Sequence, residues 1–100
     1  MSECTEVYVY EIEPDKIEEF LTVKDQLISE ARSLPGLIES ATFRSDDQDN
    51  LFIDRMRWES ADAATRSGEL FQDLPTSARF MSMMAGPPRV AGRFALIAGS

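Results

Sequence analysis

The sequence contains no histidine and a single cysteine, Cys4. The first absence removes the commonest metal ligand, the commonest general base, any Ser–His–Asp set and any His-ligated haem. The second means that no internal disulfide and no cysteine-based metal cluster can form. Cys4 has no evident activating neighbour, so it does not read as a reactive thiol. Glycine and proline number five each, too few for a collagen-like or low-complexity chain. There is no Gly-rich phosphate loop and no GxGxxG turn. No apolar run approaches the ~20 residues of a membrane span. Residues 1–6 are polar and acidic, unlike a secretory leader, and with the single cysteine they predict a cytoplasmic protein. Basic residues are scarce and scattered: ten Lys and Arg against 18 Asp and Glu give a formal charge of -8. A phosphate backbone or an anionic bilayer repels such a chain, which argues against nucleic acid and membrane partners.

What is present predicts one domain over residues 1–100. The chain has 100 residues, 43% of them hydrophobic. Folding at this size buries roughly two-thirds of the unfolded surface, a modest core that a partner subunit would reinforce. Residues 5–12 (TEVYVYEI) are β-branched and aromatic, and read as a strand. Pro14 and Asp15 punctuate. A helix follows, with Ile17, Phe20, Leu21, Leu27, Ile28 and Ala31 on one stripe and Lys24 as the one polar intrusion. Asp15, Glu18 and Glu19 suit the positive end of its dipole, and Leu34-Pro35-Gly36 stops it. Residues 37–44 and 51–58 form a hairpin around the acidic turn 45–50. Ser60 is the expected N-cap of a second helix running through Ala63, Ala64, Ser67, Phe71 and Leu74 to Pro75. A short helix is expected over 77–84, and Gly86-Pro87-Pro88 breaks it. Residues 90–98 form the last strand, with Gly92 as a bulge candidate.

The order β-α-β-β-α-β predicts an α+β, ferredoxin-like fold: a four-stranded antiparallel sheet, both helices on one face, first and third strands central. Side chains alternate across a strand. Tyr8, Tyr10 and Ile12 therefore share one face of the first strand, and Phe52, Asp54, Met56 and Trp58 share one face of the third. Val7, Val9 and Glu11, and Leu51, Ile53, Arg55 and Arg57, take the opposite face. Both sides of the sheet are thus apolar in part, yet two helices cover only one. A homodimer joined sheet to sheet is the expected solution; a tail folded over the second face is the alternative.

The Tyr/Asp/Trp face is the candidate site. A carboxylate among aromatic rings can act as a base, and an apolar cavity with few polar groups is the usual small-ligand pocket. Asp54 is the candidate catalytic residue; Tyr8, Tyr10, Phe52, Met56 and Trp58 are candidate substrate-binding residues. The competing reading is a packed aromatic core with Asp54 bonded to a tyrosine hydroxyl. Arg55 and Arg57 read either as an anion clamp or as a rim salt-bridge network. Met81, Met83 and Met84 suit an adaptable lid or plain core. The acidic turn lacks the loop length, Gly and Glu of a calcium site.

The segment 34–64 (LPGLIESATFRSDDQDNLFIDRMRWESADAA) resembles the antibiotic-biosynthesis-monooxygenase (ABM) superfamily: a helix ending in LPG, a strand, a charged hairpin, a strand ending in WES, then an Ala-rich helix. The resemblance implies a dimeric α/β-barrel with a pocket between sheet and helices in each subunit. Some members are cofactor-independent monooxygenases that turn phenolic or anthrone substrates into quinones. In those, a polar residue four before the strand-ending Trp lines the pocket with the Trp itself; here these are Asp54 and Trp58. Many members carry a His nine residues past that Trp, where this chain has Ser67. The implied activity needs no cofactor and no metal, and haem degradation is disfavoured. The alternative is a non-catalytic module that binds a small ligand or dimerises.

Overall fold

The computed structural model describes residues 2–100. Strand β1 (Cys4–Glu11) leads through a 3-10 turn (Pro14–Lys16) into α1 (Ile17–Ala31). Strands β2 (Leu37–Arg44) and β3 (Leu51–Trp58) form the hairpin, followed by α2 (Ala61–Phe71), α3 (Ser77–Ser82) and β4 (Val90–Phe94). The sheet order is β2-β3-β1-β4, all neighbours antiparallel. This is the predicted ferredoxin-like arrangement, with β1 and β3 in the centre.

Local chemistry explains the boundaries. Pro14 opens the 3-10 turn, where its missing N–H costs nothing. Ser60 caps α2 as expected, its hydroxyl accepting from the Ala63 N–H at 3.1 Å, which satisfies one orphan donor of the first turn. Gly36, between α1 and β2, has φ +81°. A Cβ there would also lie 2.5 Å from Ala63 Cβ, so the turn and the approach of α2 both demand glycine. Glu30 of α1 accepts from the backbone N–H of Thr76 at 3.0 Å and from the Thr76 hydroxyl. That clamps the start of α3 to α1.

The helices cover one face of the sheet. Phe20, Val23 and Leu27 of α1 pack with Phe80 and Met83 on Tyr10, Ile12 and Phe52. Phe20 and Phe52 rings lie 4.6 Å apart and Tyr10 meets Phe80 edge-on at 5.6 Å, geometries that aromatic quadrupoles favour. A second cluster joins Cys4, Leu34, Trp58 and Ala64. Cys4 is therefore a buried core residue of β1 and not part of a loose terminus.

Several boundaries differ from expectation. The last strand ends at Phe94, not at 98, because β4 pairs only with β1 and Phe94 already faces Thr5 near the start of that strand. Beyond it Leu96 and Ile97 are 85% and 96% exposed. Gly92 pairs regularly with Val7, so it is no bulge. The irregularity lies in β2, between Leu37 and Glu39. The second helix stops at Phe71 and the third at Ser82. Leu21 is 46% exposed and Val23 takes its expected place in the core, since position 23 continues the Phe20–Leu27 stripe.

Candidate functional site

The strand register builds the site row by row. On the helix-covered face, Thr42 of β2, Asp54 of β3, Tyr8 of β1 and Ala91 of β4 lie side by side. The next row holds Ser40, Met56, Glu6 and Arg93. Residues of α1, α2 and α3 arch over these rows and leave a cavity of about 260 Å³. Leu27, Ile28, Leu34, Leu37, Met56, Trp58, Phe71, Met81 and Met84 supply apolar walls. Small side chains leave the room: Ala31, Ser40, Ser67 and Gly68 all line it. Its mostly apolar lining with a few convergent polar groups is that of a small-ligand pocket, and its volume suits a compact ligand.

Asp54 is buried and accepts three hydrogen bonds. The Tyr10 hydroxyl donates to Oδ1 at 2.8 Å, the Thr42 hydroxyl donates to Oδ1 at 2.9 Å, and Lys24 Nζ meets Oδ2 at 2.5 Å. The Lys24 and Asp54 side chains are each 11% exposed. Lys24 also lies 4.4 Å from the centre of the Phe80 ring, a cation–π contact in a dry setting. Burial, then the charge and hydrogen bond of Asp54, push the Tyr10 hydroxyl well above the ordinary tyrosine value. Tyr10 therefore stays protonated and serves as a fixed donor to the carboxylate.

A second polar group sits one row away. Glu6 accepts from the Trp58 indole N–H at 2.9 Å, from Arg93 Nε at 3.2 Å and from the Tyr8 hydroxyl at 3.4 Å. Burial and the Glu6 carboxylate raise Tyr8 as well. Arg93 further donates to the Thr65 hydroxyl on α2 at 3.0 Å. Among the described residues every buried side-chain polar atom has a partner, so both carboxylates are held in fixed directions.

Of the six candidate residues, Tyr8, Tyr10, Asp54, Met56 and Trp58 line the cavity. Phe52 does not: it is 1% exposed and packed among Tyr10 and Phe20, because β3 carries it past the end of the cavity to the α1 stripe. Both competing readings of this face hold in part, since the Asp54–Tyr10 bond and the cavity coexist. Met81 and Met84 line the cavity while Met83 belongs to the core. The Ser67 hydroxyl donates to the Pro35 carbonyl at 2.8 Å, which ties α2 to the LPG turn.

The arginine pair of the opposite face forms a salt-bridge network, not an open anion clamp. Arg55 pairs with Glu39, and Arg57 with Glu3 at 2.9 Å and Glu39 at 3.2 Å. Glu11 pairs instead with Arg89. Among the described residues no group of three His, Cys, Asp or Glu side chains gathers to hold a metal ion, the acidic turn included.

The sequence profile of the family described as antibiotic biosynthesis monooxygenase matches residues 5–75. The chain belongs to this family. No curated protein matches the sequence. Among solved structures, the chain is similar to SnoaB, a cofactor-independent oxygenase from Streptomyces nogalater, at 20% identity and TM-score 0.84, covering 99% of this chain and 97% of that one. It is also similar to a Caulobacter crescentus CB15 protein assigned to the antibiotic biosynthesis monooxygenases, at 22% identity and TM-score 0.82, over 97% and 92% of the two chains. A conserved protein from Methanosarcina mazei Go1 shares the fold at 13% identity and TM-score 0.81, over 95% and 93%. The likeness extends over α3 and β4, which lie beyond the matched residues; α3 brings Phe80 and Met81 to the cavity, and the segment between α3 and β4 brings Met84 and Pro88.

Two cavity residues escaped the reading of this ABM-family sequence. Lys24 was legible only as a charge on an apolar stripe; its partner lies 30 residues away on another element. Glu6 had a clearer signal. The alternation that places Tyr8 and Tyr10 on the covered face places Glu6 there too, and a carboxylate at such a position needs buried donors.

Proposed function

We propose that the protein is a cofactor-independent monooxygenase of the antibiotic biosynthesis monooxygenase type. It acts in the cytoplasm on an aromatic or otherwise apolar small molecule, as a homodimer of one-domain subunits. The observation that carries this reading is the cavity of about 260 Å³, apolar over most of its wall, with the Asp54 carboxylate held in it by three donors. Family membership and the likeness to SnoaB support the reaction class.

In this chemistry the substrate, once deprotonated, reduces dioxygen itself. Asp54 takes the proton from a phenol or from an activated ring C–H. Electron transfer from the resulting anion to dioxygen and recombination put one oxygen atom on the ring carbon as a quinone carbonyl. The second oxygen leaves as water with the two hydrogens the substrate loses: one from that carbon and one from the hydroxyl of a phenol, or both from the CH2 carbon of an anthrone. The protein's part is base, orientation and exclusion of water. Trp58, fixed by Glu6, and Met56 form flat and compliant walls, and Tyr8 stands beside Asp54 with its hydroxyl on a long bond, 3.4 Å, to Glu6.

The homodimer reading rests on the second sheet face. Phe43, Ile53, Val9 and Val90 form one continuous row across all four strands, and Phe43, Ile53 and Val90 are 49%, 39% and 42% exposed. Packing two such faces together removes apolar surface at ~25 cal/mol per Å². Among the described residues no helix is long and apolar enough to cross a membrane.

One observation favours a second reading, a binding module without turnover. Three donors already engage Asp54 and leave one lone pair, on Oδ2, for an incoming proton, an arrangement that also suits a carboxylate kept only to orient a ligand. Oxygen uptake across a panel of anthrones and hydroquinones separates the two. Uptake that is lost in Asp54→Asn supports the oxygenase; ligand-dependent thermal stabilisation with no uptake from any of them leaves only the binding role.

A further inference from the structure

The Lys24 ammonium is the one cation lining the main cavity among the described residues. It is also a wall of a second, more open cavity of about 230 Å³, whose lining includes Thr42, Arg44 and Asp25. Lys24 and Ile28 line both spaces, with Tyr10 on the side of the first and Thr42 on the side of the second. Burying a lysine side chain to 11% exposure costs desolvation that an ion pair often fails to repay, which points to a use for the charge. Tyr10 and Thr42 already satisfy Oδ1 of Asp54, so a neutral donor on Oδ2 would hold the carboxylate as well. What a neutral donor lacks is positive charge.

We propose that Lys24 compensates the negative charge a substrate acquires when Asp54 takes its proton. The inference rests on the oxygenase or ligand-binding reading of this same cavity and gives its occupant a chemical class: a hydroxyaromatic held as its oxyanion. In the transfer, the O–H bond of the ligand breaks and an O–H bond forms on Asp54. The negative charge moves from the carboxylate to the ligand oxygen, and Lys24 keeps its proton throughout. The local sum of charge is unchanged, so the transfer demands little reorganisation of the surroundings; this is electrostatic preorganisation. Lys24 is thus a positioning residue before transfer and a counter-ion after it. The other titratable groups lining the cavity are Glu6, Tyr8 and Tyr10 from β1 and Asp54 from β3; β2, α2, α3 and the β4 lead-in contribute none. Glu6 is paired with Arg93, which leaves Lys24 as the cation available to an incoming anion.

The test titrates a bound chromophore and needs no turnover. Para-nitrophenol, whose anion is yellow, is added to wild type, Lys24→Met, Lys24→Arg and Asp54→Asn, and the anion fraction of the bound probe is followed against pH. Removal of an adjacent opposite charge should raise the ionisation midpoint of the bound probe by roughly one to three units in Lys24→Met. Lys24→Arg should stay near wild type. Asp54→Asn should lower the midpoint, because the probe anion then replaces the carboxylate beside Lys24. A midpoint in Lys24→Met equal to wild type overturns the proposal. If that variant does not fold, a midpoint in Asp54→Asn at or above wild type overturns it. A wild type that binds no phenol at all overturns the ligand-binding reading and this inference together. Shifts as expected with no oxygen uptake from any substrate uphold the role of Lys24 and reject the oxygenase.

Discussion

The two faces of one sheet handle charge in opposite ways. Under the helices, Asp54 meets one cation among the described residues, Lys24, with both side chains 11% exposed, and its other donors are the hydroxyls of Tyr10 and Thr42. On the open face, Arg55 and Arg57 share Glu39, with side chains 37% to 44% exposed. Both pair a carboxylate with a cation and both involve β3, although Lys24 comes from α1 and Glu39 from β2. The difference is solvent: water screens the open network, so its geometry is loose in energetic terms, whereas removing one partner of the covered pair leaves a charge buried with no water to replace it. The covered face can therefore hold a charge in a defined place, which a reaction needs, while the open face uses charge to edge an apolar row.

Asp54→Ala should give the largest effect, because it strands Lys24 and takes the acceptor from Tyr10 and Thr42. We expect a loss of about 3–5 kcal/mol in urea unfolding; a loss under about 1 kcal/mol would erase the contrast between the faces. On the open face, Ile53→Asp places a charge in the middle of the apolar row. It should halve the mass seen by light scattering and cost roughly 2–3 kcal/mol of association per subunit; an unchanged mass at micromolar concentration removes the case for a sheet-to-sheet dimer. Trp58→Phe deletes the indole donor to Glu6 and should cost about 1.5–3 kcal/mol, with weaker ligand binding measured on the same protein.

The tyrosines sharpen the comparison by pH. Both of them, Tyr8 and Tyr10, lie on the covered face with ionisation raised above 10.0. Folding favours their protonated forms, so their contribution is complete below pH 10. Above it the unfolded chain ionises first, and stability falls as pH rises. The slope is about 1.4 kcal/mol per pH unit for each tyrosine still protonated in the fold. Ultraviolet titration should show Tyr10 protonated through pH 10 until the protein unfolds, and Tyr8 ionising above its ordinary value. Arg55→Ala should do least, under about 1 kcal/mol in the same urea assay and diminishing with salt.

Much of this contrast was legible beforehand. Strand alternation assigns Asp54 and Trp58 to one face and Ile53 and Arg55 to the other, whatever the rest of the fold does. The LPG and WES pieces placed the turn at Gly36 and the cap at Ser60. The departures share a cause. Phe52 obeys the same alternation as Asp54, and only the position of α1 decides that it fills core while Asp54 meets a cavity. Residues 95–98 have strand composition, yet they lack a partner because β1 starts only at Cys4. Lys24 looked like a flaw in a stripe until Asp54 was seen opposite it.

Periodicity, turn chemistry and the absence of histidine and of cysteine pairs settled the element order, the two-sided sheet and the chemistries ruled out, because each is a property of neighbours in sequence. The ion pair of Lys24 with Asp54, the Glu6–Trp58–Arg93 cluster and the space between them depend on residues 30 to 87 positions apart. Such contacts arise only when helices settle on the sheet, since where large side chains pack and where small ones leave a gap is decided by shape in three dimensions.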